Sequence, residues 1–450
     1  MKRLRDWVDK LAKNSPARLT LAVFASIVAL STLLLQLPLA ARDLQRPEFS
    51  DSLFTATSAV CVTGLTTVDT ATYWSPFGQL VILLSIQIGG LGVMTLASIL
   101  ALAVSRHVGL TQRIIIAKEQ QSTRLGDVGS VIKAAVITSL SVEVALFAIL
   151  LPRLLALGES GPSAFWNALF MSVSIFNNAG FVTLPEGLSP HVGDWFITMP
   201  ILFGTLFGAL GFPVMQDLSR NWRRPRHLSL HSKLTITTYM ILAGAAVVMV
   251  AASEWNNAGT FGQLNLSEKI QTALLFGVNS RSSGLTTIDI GAMTRGSWFL
   301  IDVLMFIGGG SASTAGGIKV TTLAVMVLAI VAEARGDRDT EAFHRRIPDS
   351  TVRLAVAVTM MGATLVAVSI FYLLQVTEYS LDVIGFEVIS AFATVGLSTG
   401  ITPDLPPEAK YVLAALMFAG RTGIMTVATA LAIRQRRRVI RMPEEAPSIG

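Results

Sequence analysis

The chain has one cysteine, Cys61, in 450 residues. A single thiol excludes an internal disulfide framework and a cysteine-based zinc site. Histidine is sparse too: His107, His191, His227, His231 and His344 show no metal-ligand spacing, and His227 and His231 fall in a basic loop. Charged residues make up 14% of the chain against 52% apolar, where soluble domains carry about a quarter charged. No P-loop lysine motif, HExxH or convergent carboxylate pair is present, so the chain offers no nucleotide site and no recognisable enzymatic site. These absences exclude a disulfide scaffold, a cysteine-based zinc site and a recognisable ATPase site.

Long apolar runs fill the space. The mean hydropathy is +0.60. A bilayer core of about 30 Å takes roughly 20 apolar residues per helix. Eight stretches qualify, near 19–37, 75–103, 131–157, 195–215, 234–252, 298–331, 351–376 and 410–433. The first resembles a signal peptide at "PLAAR", but its apolar run is longer than a signal core and reads as a span. Most of the 35 lysines and arginines fall before span one, between spans two and three, four and five, six and seven, and after span eight. That bias predicts a multi-pass protein with both termini cytoplasmic. It accounts for the net charge of +6 without a nucleic-acid partner. The basic inner loops also suit a cytosolic protein or anionic membrane lipid, although topology alone suffices for most of them.

The outer segments repeat. "FTATSAVCVTGLTTVD", "LFMSVSIFNNAGFVTL", "LLFGVNSRSSGLTTID" and "VISAFATVGLSTGITP" each join an apolar half-length helix to a small-residue run and a glycine. The glycines, Gly64, Gly180, Gly284 and Gly396, recur every ~110 residues, which marks four tandem copies of one unit. The expected fold is therefore all-α and integral to the membrane. It has four M1–pore helix–M2 repeats, with eight transmembrane helices and four re-entrant pore helices around a pseudo-fourfold pore. The expected divisions are a cytoplasmic N-terminus at 1–18, repeats at 19–105, 106–220, 221–335 and 336–435, and a cytoplasmic tail at 436–450.

Helix starts are expected at Ser50 with Asp51, Ser163, Ser267 with Glu268, and Ser380 with Asp382. The negative helix ends then converge inward and favour a cation. Irregular backbone at that depth must be buried or line water, and carbonyls there can replace a cation's hydration shell. The expected ion-binding residues are Cys61, Val62, Thr63 and Gly64; Asn177, Asn178, Ala179 and Gly180; Arg281, Ser282, Ser283 and Gly284; and Thr394, Val395 and Gly396. Because the backbone supplies the ligands, the Cys61 thiol reads as packed. Arg281 is either a fixed charge tuning entry or a tie to an acidic neighbour. Asn177 and Asn178 either line the pore or brace it. The unequal runs predict approximate rather than true symmetry.

Two charges lie inside spans. Arg421 in "LMFAGRTGIM" sits too deep to snorkel, and a charge there defaults to function or a buried partner. Its expected partner is the broken span "FIGGGSASTAGGIKVTT" at 306–322, whose backbone is free of helix. "IQIGGLG", in the second span of repeat one, is short enough to stay helical. Lys319 either snorkels or contacts the broken segment. Glu143 reads as a paired or boundary residue, and no acidic ladder suggests a proton relay.

The motifs "CVTGL", "FNNAGF", "SSGL", "ATVGLSTGITPDL", "IQIGGLGVMTLA", "IGGGSASTAGGIKVTT" and "FAGRTGIMT" resemble those of the Trk/Ktr/HKT potassium transporter superfamily. The resemblance covers nearly the whole chain and is closest to the Ktr-type membrane subunit. It implies potassium (K+) uptake across a bacterial inner membrane, a homodimer, and a cytosolic KtrA-like nucleotide-binding regulatory ring. It leaves open sodium (Na+) as an activator. Sodium-preferring relatives can carry serine at the first filter glycine, whereas this chain has Gly64. The resemblance also implies an intramembrane gate built from Gly308, Gly309, Gly310, Ser311, Ser313, Thr314, Gly316, Gly317 and Lys319, with Arg421 beside it, and a tail reaching into the dimer partner. An alternating-access cation transporter and a Trk-type subunit with the same pore stay open as alternatives; broken helices mark transporters too.

Overall fold

A computed structural model describes the backbone over 16–106 and 128–423, and side chains over 21–92 and 133–422. The N-terminal segment before residue 16, most of the first basic inner loop and the tail expected to reach a dimer partner lie outside these residues. The described chain is predominantly helical. Its elements are α1 (Pro16–Leu35), α2 (Phe49–Cys61), α3 (Pro76–Arg106), α4 (Val128–Ala156), α5 (Gly161–Asn177), α6 (Trp195–Leu210), α7 (Phe212–Asn221), α8 (Leu230–Glu254), α9 (Leu266–Asn279), α10 (Arg295–Phe306) and α11 (Val320–Arg335). A small antiparallel hairpin follows, β1 (Glu341–Ala342) with β2 (Arg345–Arg346), then α12 (Asp349–Val376), α13 (Leu381–Ala393) and α14 (Pro407–Phe418).

Among the described residues, Lys133–Ala156, Leu230–Glu254 and Asp349–Val376 are long and apolar enough to cross a bilayer unbroken, and only 28% of each apolar window is buried. The remainder, with Val144, Ile241, Val248, Val368 and Phe371 pointing outward, forms an apolar exterior that a water-soluble monomer does not carry. This is a membrane protein.

Two expected spans are not continuous helices. The one near 195–215 breaks between α6 and α7 with a 99° bend. Gly211 takes φ +89° at the break, a conformation L side chains avoid, and the following Phe212–Pro213 starts a new helix with proline in its first turn. The span near 298–331 is α10 and α11 separated by non-helical chain at 307–319, slightly shorter than the 306–322 expected. "IQIGGLG" stays inside α3. Three helix starts also move. The caps are Glu48, Ser160 and Asn265 rather than Ser50, Ser163 and Ser267. Asn265 wins because it forms a reciprocal capping box with Glu268.

The short helices set the plan. Each of α2, α5, α9 and α13 packs on the long helix before it, and each also packs on the last helix of a preceding hairpin: α5 on α3, α9 on α6, α13 on α10, and α2 on α14. The last contact closes the series into a circle. The buried apolar residues accordingly form several clusters between neighbouring helices, around Phe170, Ile175, Phe276 and Phe392 among others, and not one central core. The centre is left to the four turns that follow the short helices.

Candidate functional site: four glycine turns and the loop beneath them

Three of the four turns close in the same way. After α2, Val62 is left-handed at φ +57°, its N–H bonds to the Ala59 carbonyl (3.1 Å) and that of Thr63 to the Ser58 carbonyl (2.8 Å). After α5, Asn178 and Ala179 repeat this on Ile175 and Ser174, and after α13, Thr394 and Val395 repeat it on Ala391 and Ser390. This is a Schellman-type closure. It puts β-branched Val62 and Thr394 where glycine is usual, and such strain gathers at functional sites. The glycine two residues on is left-handed again in each: Gly64 (+94°), Gly180 (+74°) and Gly396 (+92°).

The third turn differs. Ser280, Arg281 and Ser282 continue α9 as a tight turn, and the positive φ values fall on Ser283 (+90°) and Gly284 (+61°). One left-handed position has moved by a residue, so the symmetry is approximate.

The turns meet as a ring. A methyl added to Gly64 would lie 2.5 Å from the Ala179 carbonyl oxygen and 2.9 Å from Gly180 Cα. One on Gly180 would strike the Ser283 carbonyl oxygen, and one on Gly284 would lie 2.6 Å from that of Val395. One on Gly396 would strike that of Thr63, 3.1 Å from Gly64 Cα. Each glycine thus faces the carbonyl before the next glycine, in chain order, and the fourth returns to the first. No side chain larger than hydrogen fits at these points. The ring holds backbone oxygens and no carboxylate, a ligand set suited to a dehydrated monovalent cation. The short helices end at the ring, while Asp51, Glu268 and Asp382 sit in the first turns of α2, α9 and α13. Helix dipoles oriented this way favour positive charge at the ring.

Side-chain braces, unread in the sequence, hold the turns. Gly64 N donates to Ser58 Oγ (3.1 Å) and Gly396 N to Ser390 Oγ (3.1 Å). Ser174 Oγ donates to the Phe181 carbonyl (2.7 Å). All three serines lie six residues before their glycine. The third unit has Val278 there, and Asn279 takes over, donating from Nδ2 to the Leu285 carbonyl (2.7 Å). Glu387 braces the exit from the fourth turn by accepting from Ser398 Oγ (2.6 Å), Thr399 N (2.9 Å) and Thr402 Oγ1 (2.8 Å).

Asn177 and Asn178 both brace. Asn177 Nδ2 donates to Gln87 Oε1 (3.0 Å) and Glu143 Oε1 (3.3 Å), and Glu143 also accepts from Ser139 Oγ (2.5 Å). Glu143 is thus held by neutral donors, with no cation paired to it among the described residues. The Asn178 amide is oriented by its neighbours. Its oxygen accepts from Ser282 Oγ (2.6 Å), Thr314 Oγ1 (3.0 Å) and Ala209 N (3.2 Å), and its nitrogen donates to the Ile175 and Thr205 carbonyls. It ties the second turn to the third, to α6 and to the loop below. Cys61 is fully buried at the end of α2.

Arg281 is also fully buried, but no acid meets it among the described residues. Its guanidinium stacks 3.7 Å from the centroid of the Tyr239 ring, and Nη2 donates to the Gly277 carbonyl (3.3 Å). The expected acidic tie is replaced by an aromatic one: a weakly hydrated, planar guanidinium packs on a ring face where a carboxylate would itself need desolvation.

The segment at 307–319 lies against these turns. Its backbone bonds to itself, to the start of α11 and to α6. Gly308 N donates to Ile318 O (2.9 Å), Val320 N to Gly309 O (3.0 Å), Gly310 N to Ala209 O (2.8 Å) and Thr314 N to Gly208 O (3.3 Å). Ser311 Oγ pairs with Thr321 Oγ1 (3.3 Å), and Ser313 is buried. A methyl on Gly316 would lie 2.6 Å from the Ala393 carbonyl oxygen, so the segment touches the end of α13. Gly317 is left-handed at +65°. Lys319 folds back, its Nζ donating to the Ala315 carbonyl (2.6 Å). Arg421 stands on a π-helical turn, Ala419–Gly423, that follows α14, and its Nη1 donates to the Thr314 carbonyl. Its Nε and Nη2 have no partner among the described residues.

The family model described as "TrkH: Cation transport protein" matches residues 11–439. The chain is 36% identical over 441 residues to the Ktr system potassium uptake protein B of Bacillus subtilis, covering 98% of each chain. It is 34% identical to the potassium/sodium uptake protein NtpJ of Enterococcus hirae, over 97% of each. The crystal structure of the potassium transporter TrkH from Vibrio parahaemolyticus superimposes with a TM-score of 0.69, at 19% identity, covering 91% of this chain and 84% of that one.

Proposed function

The chain belongs to the TrkH family of cation transport proteins, and from that premise we propose that it takes up potassium through a central pore, as the membrane subunit of a Ktr-type system. The observation that carries this reading is the closed ring in which each of Gly64, Gly180, Gly284 and Gly396 faces a carbonyl of the next turn. In this reading the chain is four tandem M1–pore helix–M2 repeats, and α2, α5, α9 and α13 are re-entrant pore helices entering from outside. The carbonyls of Thr63, Ala179, Ser283 and Val395 stand in for water around a potassium ion, and the serine and asparagine braces keep the ring at potassium size. The membrane potential drives entry at about 2.3 kcal/mol per charge per 100 mV.

The segment at 307–319 is the gate. It lies against the inner side of the turns, and Arg421 holds it at Thr314 while adding positive charge below the filter. Both raise the barrier to a cation. A cytosolic nucleotide-binding ring, a second copy of the chain and sodium as an activator are the partners that the family suggests; the names of the relatives, "Ktr system" among them, support a multi-component assembly. The basic inner segments support a bacterial inner-membrane location with both termini in the cytoplasm.

Expression in a bacterium lacking its potassium uptake systems tests the reading. Growth on low potassium is expected with the wild-type chain and not with Gly180→Ala. Equal growth with both, or no rescue by a wild-type chain present in the membrane, would overturn it.

A further inference from the structure

Beyond the ring, the 99° bend at Gly211 leaves a second feature that needs a partner. The sixteen residues of α6 cover ~24 Å at about 1.5 Å each, most of a bilayer core of about 30 Å. Turned through 99°, α7 then runs close to the membrane plane near the inner leaflet. The outward face of α6 is apolar, with Phe196, Phe203 and Phe207 exposed. At the far end of α7, Trp222 is 66% exposed. A tryptophan that ends an in-plane helix beside an apolar span sits at headgroup depth.

Arginines surround it. Arg223 stacks 4.9 Å from the Trp222 ring centroid, and Arg224 and Arg226 follow, all exposed. None of the three has a carboxylate within ion-pair distance among the described residues. The turn that presents them is built, not loose. Asp217 accepts from Asn221 Nδ2 (2.8 Å), Ser229 N (2.9 Å) and Ser232 Oγ (2.5 Å), which locks α7 to the start of α8. Lys233 Nζ donates to the Arg226 carbonyl (2.9 Å) and lies 6.0 Å from the ring of Phe343, the half-exposed tip of the β1–β2 hairpin.

We propose that the segment at 222–226 is an anchor for anionic phospholipid, with Trp222 at the headgroup level and Arg223, Arg224 and Arg226 on lipid phosphates of the inner leaflet. Charge complementarity selects this occupant, and the exposed Trp222 ring, a side chain suited to headgroup depth, selects lipid over a soluble protein. Each arginine at an anionic surface strengthens association roughly fivefold. The anchor reaches the gate: Phe212 N, at the start of α7, donates to the Ala312 carbonyl (3.3 Å). A headgroup that holds α7 in plane therefore also holds the bend against the loop. This second consequence rests on the gate reading; the lipid contact does not.

The test uses the purified full chain in phosphatidylcholine vesicles with and without phosphatidylglycerol. Trp222 emission is isolated as the difference between wild type and Trp222→Phe. Acyl-brominated phosphatidylglycerol should quench it more than acyl-brominated phosphatidylcholine at equal mole fraction. The triple variant Arg223→Gln, Arg224→Gln, Arg226→Gln should lose that preference while eluting as the wild type on gel filtration, and high salt should weaken it. Equal quenching by the two lipids in wild type, or a preference that survives the triple change, would overturn the proposal. Rubidium uptake in the same vesicles separates the two readings: a chain that carries no rubidium yet keeps the lipid preference removes the transport reading and leaves the anchor.

Discussion

Arg421 donates from Nη1 to the carbonyl oxygen of Thr314, and Thr314 is bonded on every other side as well. Its N–H goes to the Gly208 carbonyl (3.3 Å) and its hydroxyl to the Asn178 amide oxygen (3.0 Å). One loop residue therefore joins α14's π-turn, α6 and the second glycine turn. In the proposed gate, removing the guanidinium loosens the loop and takes a positive charge from beside the ion path. Arg421→Ala should raise rubidium flux in proteoliposomes by about tenfold, the effect of ~1.4 kcal/mol on a barrier. Deleting 311–316 should do the same. Wild-type flux in a folded Arg421→Ala protein would leave the arginine with packing alone.

Gly180 and Gly187 form a matched pair for testing the ring. Both have positive φ, +74° and +63°, so alanine strains either backbone by roughly 1–2 kcal/mol. Only at Gly180 does the new methyl strike a neighbouring turn, at the Ser283 carbonyl; nothing lies within 4 Å at Gly187. Gly180→Ala should abolish most rubidium uptake, and Gly187→Ala should leave it near wild type. Equal losses would show that backbone strain, not the ring, matters.

The serine braces bear on selectivity more than on folding. Ser58→Ala and Ser390→Ala each remove one hydrogen bond to a ring glycine, worth about 1 kcal/mol. Together they should lower the potassium-to-sodium flux ratio severalfold with little change in total flux. An unchanged ratio in the double variant would make the serines ordinary helix residues.

Asp51 and Lys410 form a pair at 3.0 Å with side chains only 12% and 9% exposed, joining α2 to α14 across the point where the circle closes. Lys410→Met leaves a buried carboxylate alone and should cost ~3–5 kcal/mol, whereas Asp51→Asn with Lys410→Met should recover most of it. Thermal midpoints in detergent read the difference. A double variant no more stable than the single would show that the attraction was not the issue.

The four turns were legible because glycine and small residues recur between apolar runs, a pattern that neither helix packing nor a loop requires. The broken span at 307–319 was legible for the same reason. The 99° bend was not, although Gly211, Phe212 and Pro213 stand together; within an apolar run one glycine and one proline are also compatible with a continuous helix, and Pro200 lies inside α6. Ser58, Ser174 and Ser390 share a spacing of six from their glycines, but a serine in a helix carries no sign of what its hydroxyl meets. The partner of Arg281 is an aromatic ring on α8, and no local pattern names a contact made between distant helices. Ser380 caps α13 as expected; at α9 a neighbouring polar residue competes, and Asn265, whose side chain accepts from the Glu268 amide, displaces Ser267.

In the proposed function the ring of turns passes potassium and holds back sodium. The most direct measurement is potassium against sodium flux through the purified chain in proteoliposomes at a fixed membrane potential. Potassium flux well above sodium flux, lost on Gly180→Ala, is the predicted result. Equal passage of the two ions, or selective flux that survives Gly180→Ala, would contradict it.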